Sequence, residues 1–270
     1  MSPRHSHVSD QKVFETGTKC VALHRRTLRW AVAELLKKGP ATTQQLKVAS
    51  GEHLAAILLT AFVLAAPSAV DTTGEVDLVF VVDTERSIPD RVAVGEVVAV
   101  EVKSVAGRFR KFNGWTDRAG SEALGAEVTV QVRSADTILS DAAPLINRMA
   151  MKLESVCANH RYGFMVVHPF EQFAAEIISE PVLAGVLQPL VLPQPLDGLW
   201  VLWWPDQVTA WSQTEHCWYQ MFFDAVSSDD DTECSGPLDA LRETEEAFLS
   251  GIGFTEGSPF LFDLRSKPDE

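Results

Sequence analysis

Asp77, Glu101 and Lys103 are the residues whose types and spacing could do chemistry in this chain. Glu101 and Lys103 sit one residue apart at the end of the valine-rich run "GEVVAVEVKS". Side chains repeat every two residues along a strand, so both project from one face. A charge in such a setting is costly unless it is paired or binds a metal. Glu75 and Asp77 share a face in the same way at the start of "EVDLVFVVD". The intervening "TERSIPDRVAV" contains the turn pair Pro89-Asp90. A hairpin symmetric about Pro89 places Asp77 opposite Glu101, because the two are equidistant from it. Directly opposed residues have Cβ atoms about 4.5–5.5 Å apart.

Two carboxylates at that separation repel unless something positive lies between them. A magnesium-type ion suits them, since it prefers oxygen ligands and keeps several waters. Lys103 could then orient one of those waters or help to deprotonate it. Water activated by an ion and aimed at phosphorus is what phosphodiester hydrolysis requires. The competing reading is an ion pair of Lys103 with Asp77 or Glu101 at a solvent edge, which usually contributes little.

The stretch that follows carries Arg108, Arg110, Lys111 and Arg118 interleaved with Phe109, Phe112 and Trp115. Basic groups beside aromatic platforms suit a phosphate backbone and unstacked bases. The same composition also describes a solvated loop whose aromatics cover the core. Gln131 and Arg133 alternate on the next apolar segment and could face the same cleft.

These side chains need a scaffold. Residues 76–83, 96–104, 126–134 and 162–170 are β-branched or apolar runs bounded by turn residues, and are predicted strands. Helical periodicity covers about 25–40, 42–51, 52–66 and 136–158, the last interrupted or begun near Pro144. The order predicts an α/β domain with a mixed sheet. The three N-terminal helices loosely resemble a helix-turn-helix, but the third is almost wholly apolar, and base readout needs polar side chains. Packing of that helix on the sheet is the alternative. Beyond residue 180, "LWVLWWPDQVTAW" and "HCWYQMFFDAV" read as hairpin strands around "SQTE", followed by an exposed "SSDDDTECSG" loop and a helix over 237–250.

Together, "GEVDLVF" and "VVAVEVKS" resemble the active-site hairpin of the PD-(D/E)xK, or restriction-endonuclease-like, nuclease superfamily. The resemblance covers about residues 52–170 and implies an αβββαβ restriction-endonuclease-like core. It divides the chain into an N-terminal tail and helices (1–51), a nuclease-like core (52–170) and an acidic, β-rich C-terminal extension (171–270). It implies that Asp77 and Glu101 bind Mg2+ or Mn2+, with the Val102 carbonyl as an extra ligand, and that Lys103 activates water. Glu52 on the preceding helix and Glu75 are the family-type extra acids. Arg108, Arg110, Lys111 and Arg118 would then contact nucleic acid, DNA before RNA. The chain departs from the pattern in lacking a proline before Asp77 and in its long hairpin connection.

Composition bounds these readings. Hydrophobic residues make up 46% of the 270, enough for a sizeable core. The net charge of −14 is unevenly distributed: residues 1–162 carry 20 Lys+Arg against 18 Asp+Glu, and residues 163–270 carry 3 against 19. The first part can meet a phosphate backbone, whereas the second would repel one and could dock a protein partner. A non-catalytic interaction protein on the same scaffold is therefore the alternative function. The apolar segment 54–66 is too short to span a bilayer, which needs about 20 residues, so no membrane partner is expected. The four cysteines form no CxxC pair, residues 1–20 show no apolar signal region, and a cytoplasmic location is expected. Trp200, Trp203, Trp204, Trp211 and Trp218 read as packing rather than a ligand cage, and His160 and His168 as structural.

Overall fold

The computed structural model describes residues 12–13, 19–70, 76–85, 90–105, 134–167, 187–204, 207–224 and 237–254. Nine strands among them form one mixed sheet: β1 (Lys12–Val13), β2 (Lys19–His24), β3 (Ala69–Val70), β4 (Leu78–Val81), β5 (Val97–Val105), β6 (His160–Val167), β7 (Gly198–Trp203), β8 (Gln207–Ser212) and β9 (Cys217–Asp224). The helices are α1 (Arg25–Lys37), α2 (Pro40–Thr43), α3 (Glu52–Val63), α4 (Ala135–Asp141), α5 (Ala143–Leu153) and α6 (Pro237–Gly251). The strand order is β1-β2-β9-β8-β7-β6-β5-β4-β3. Strands β5, β6 and β7 run parallel to one another. β4 is antiparallel to β5, and β8 is antiparallel to β7 and β9.

Period-two alternation divides the core into two layers. Val98, Val100 and Val102 pack with Phe164, Leu202 and the apolar faces of α1, α3 and α6. Ala99, Met165, Val201 and Trp203 pack with Ile146, Met149 and Leu153 of α5 on the opposite face. Glu101 and Lys103 share the parity of Ala99 and so belong to the α5 side.

Several expected elements take a different form. The predicted 42–51 helix is one turn of α2 followed by a 3-10 turn at Val48–Ser50. The predicted 136–158 helix is interrupted near Pro144 as expected, into α4 and α5, with Pro144 in the first turn of the second. Strand β2 was not anticipated; it is a six-residue run that passes directly into α1. The segment around "LWVLWWPDQVTAW" is two antiparallel strands rather than one. Residues 126–133 of another expected strand lie outside the described residues. Strand β5 pairs directly with β6 along Val98–Val105, so nothing intervenes there.

The C-terminal strands continue the same sheet, and β9 pairs with β2. Helix α6 is fastened to α3 by a fully buried pair, His53 Nε2 to Glu245 Oε1 at 2.6 Å. Helix α3 is buried from Glu52 to Phe62, so it cannot enter a DNA groove in the manner of a recognition helix. No helix among the described residues is long and apolar enough to cross a membrane. The five tryptophans of β7, β8, β9 and Trp204 are at most 4% exposed and fill both core layers.

Candidate functional site

The β4–β5 hairpin has the register that symmetry about Pro89 demands. Leu78 lies opposite Val100, and the pairing runs evenly to Val81 opposite Val97. It extends by Val82 N–H donating to the Glu96 carbonyl (3.0 Å) and Gly95 N–H donating to that of Val82 (2.8 Å). One step the other way sets Asp77 opposite Glu101. Asp77 Oδ2 accepts the Val102 N–H at 2.7 Å, which ties the carboxylate to β5. The long connection is itself anchored: Asp90 accepts hydrogen bonds from Tyr162 Oη at 3.1 Å and from Ser212 Oγ at 2.5 Å.

Asp77 is 2% exposed and Glu101 fully buried, so their charges are not at a solvent edge. Three lysines from three elements surround them. Lys103 Nζ contacts Glu101 Oε1 and lies 3.6 Å from Asp77 Oδ2. Lys152, near the end of α5, places Nζ 2.8 Å from Glu101 Oε2 and 3.4 Å from Asp77 Oδ1. Lys47, before the 3-10 turn, lies 3.9 Å from Asp77 Oδ1 and 3.3 Å from Glu52 Oε1. All four oxygens of Asp77 and Glu101 therefore face an ammonium. Burial, partly countered by the lysine hydrogen bonds, holds the Glu101 carboxyl above the ordinary glutamate range, and the Asp77 charge adds to the effect. Burial alone would lower Lys152, but Glu101 and Asp77 outweigh it and hold the ammonium form more firmly than usual.

Gly163 explains how α5 comes so near. It lies beside Glu101 in the parallel β5–β6 register. A Cβ there would stand 2.8 Å from Met149 Sδ and 2.9 Å from Leu199 Cδ1. Met149 thus rests against the bare backbone, and Lys152, three residues later on the same helical face, reaches Glu101.

No family model, curated protein or solved structure matches the chain, so its chemistry must be read from these side chains. Lys103 Nζ also donates to the Val102 carbonyl at 2.9 Å. One cationic group therefore sits where a Glu101 oxygen, an Asp77 oxygen and a main-chain oxygen converge. That all-oxygen set fits a hard divalent ion, which would take the two carboxylates and the carbonyl and keep waters. Among the described residues no three His, Cys, Asp or Glu side chains are grouped as a ready metal cage.

The other sequence-predicted residues divide clearly. Glu52 is buried, but its carboxylate accepts the Lys47 N–H at 2.9 Å and Ser50 Oγ at 3.0 Å. It fastens the turn before α3 and reaches Asp77 only through Lys47. His160 bonds Glu96 at 3.0 Å. Glu75, Arg108, Arg110, Lys111, Arg118, Gln131, Arg133 and His168 lie outside the described residues. Lys152 and Lys47 were missed because single lysines on an amphipathic helix and in a polar turn have no distinguishing sequence signal.

Proposed function

We propose that this protein is a Mg2+- or Mn2+-dependent nuclease that hydrolyses phosphodiester bonds in DNA. The observation that carries the reading is the convergence of Asp77, Glu101, the Val102 carbonyl and Lys103 on one point across a hairpin of defined register. Among the described residues the order α3, β3, β4, β5, α4, α5, β6 supports an α/β reading of this kind; residues 126–133 of the strand expected as the third of the αβββαβ core lie outside them. In this reading Asp77 and Glu101 hold the ion with the Val102 carbonyl. A bound divalent ion supplies Lewis acidity toward phosphorus and lowers the pKa of water. Lys103 Nζ, which contacts both carboxylates and the Val102 carbonyl, would leave them to hydrogen-bond the attacking water. Arg108, Arg110, Lys111 and Arg118 follow β5 in sequence and would guide the backbone.

The test is cleavage of duplex DNA in Mg2+ or Mn2+. Asp77→Ala and Lys103→Ala should each lower the rate at least ~100-fold, the scale on which acid–base groups act, with circular dichroism unchanged. Cleavage at the wild-type rate by both variants contradicts the assignment. A second reading, a non-catalytic interaction protein, draws on one observation: the four carboxylate oxygens already have ammonium partners. Under it the wild type does not cleave, and chelating divalent ions changes nothing.

A further inference from the structure

The charge of the site is balanced in an unusual way for a metal centre. Glu52, Asp77 and Glu101 face Lys47, Lys103 and Lys152, so three carboxylates meet three ammoniums. A site built to hold a divalent ion by itself keeps excess negative charge. Among the described residues its charges balance, and a divalent ion added to them would leave two positive charges. An ion must also displace ammonium contacts, because each oxygen of Asp77 and Glu101 is engaged. An excess of positive charge is what a phosphodiester and an attacking hydroxide would together neutralise.

Resting on the nuclease reading, we propose that Lys47 and Lys152 make divalent-ion binding depend on a bound DNA phosphodiester. In the DNA-free protein their ammoniums compensate the carboxylates the ion would use. When ion and DNA enter together, they transfer to the non-bridging phosphate oxygens. Both side chains can make that move, being partly open to solvent: Lys47 is 58% and Lys152 29% exposed. They also approach from different elements, the turn before α3 and the end of α5, so they bracket the carboxylates. Lys103 is left to the water, since it is the lysine that contacts the Val102 carbonyl.

Mn2+ binding, read from the electron paramagnetic resonance of the free ion, tests this with and without a mixed-sequence DNA duplex bearing phosphorothioate linkages. Adding the duplex should tighten Mn2+ binding to the wild type at least about tenfold, and by linkage Mn2+ should tighten the duplex equally. Lys152→Gln should bind Mn2+ alone at least about threefold more tightly than wild type, and the gain on adding DNA should shrink. Lys47→Ala should change both in the same direction; its exposed position keeps the test available if Lys152→Gln does not fold. The proposal is overturned if DNA leaves the wild-type affinity for Mn2+ unchanged, or if neither lysine variant binds Mn2+ alone more tightly. Absence of Mn2+ binding to the wild type even with DNA would instead remove the nuclease reading itself, and Asp77→Asn sets that baseline.

Discussion

Glu101 sets burial against charge pairing at a single residue. It is fully buried, and burial with the neighbouring Asp77 raises its carboxyl despite two lysine partners. The folded protein therefore binds this proton more tightly than the unfolded chain does. By linkage the Glu101 contribution to stability is present at low pH and is lost as pH rises through the raised value. Glu101→Gln cannot titrate, so its stability relative to wild type should increase with increasing pH, as measured by urea unfolding between about pH 4 and 8. A difference that stays constant across that window would contradict the assigned direction. The same substitution should abolish divalent-ion-dependent cleavage, because one of the two carboxylates proposed to hold the ion is gone.

Strand alternation made much of this site legible at the level of elements. Glu101 and Lys103 shared a predicted face, and symmetry about Pro89 predicted the register that β4 and β5 adopt. What stayed hidden was long-range. Lys152 reaches the site only because Gly163 lets α5 pack closely on β6, and no local pattern links residues on a helix and two strands. Strand β2 was hidden because its short run leads straight into α1. Lys47 was hidden because a single lysine in a polar turn carries no pattern that links it to Asp77, thirty residues away in sequence. Gly163→Val tests the packing. Its branched side chain would strike Met149 and Leu199 and should cost about 1–3 kcal/mol, in the range of an overpacked core. Displacing α5 should also reduce cleavage more than the lost stability explains. Wild-type cleavage by a folded Gly163→Val protein would show that the position of α5 does not matter to the chemistry.

On the scale of the whole molecule, the hairpin with the candidate site belongs to a sheet that the C-terminal strands complete. Strand β7 is buried on both faces between β6 and β8, and α6 is held to α3 by the His53–Glu245 pair. Heat or denaturant should therefore give one transition, with tryptophan fluorescence and far-ultraviolet circular dichroism coinciding. Two separated transitions would contradict the single sheet. A fragment ending before β7 should fail to fold, since it would expose Phe164, Met165 and Val166 of β6, all fully buried in the intact chain. The most direct measurement of the central claim is anomalous diffraction from crystals of the full chain grown with Mn2+ and a DNA duplex. The expected result is one Mn2+ peak about 2.0–2.3 Å from an oxygen of Asp77 and an oxygen of Glu101, the range of small divalent ions, with Lys103 withdrawn from between them. Crystals holding DNA and Mn2+ elsewhere, with Lys103 and Lys152 still paired to both carboxylates, would contradict it.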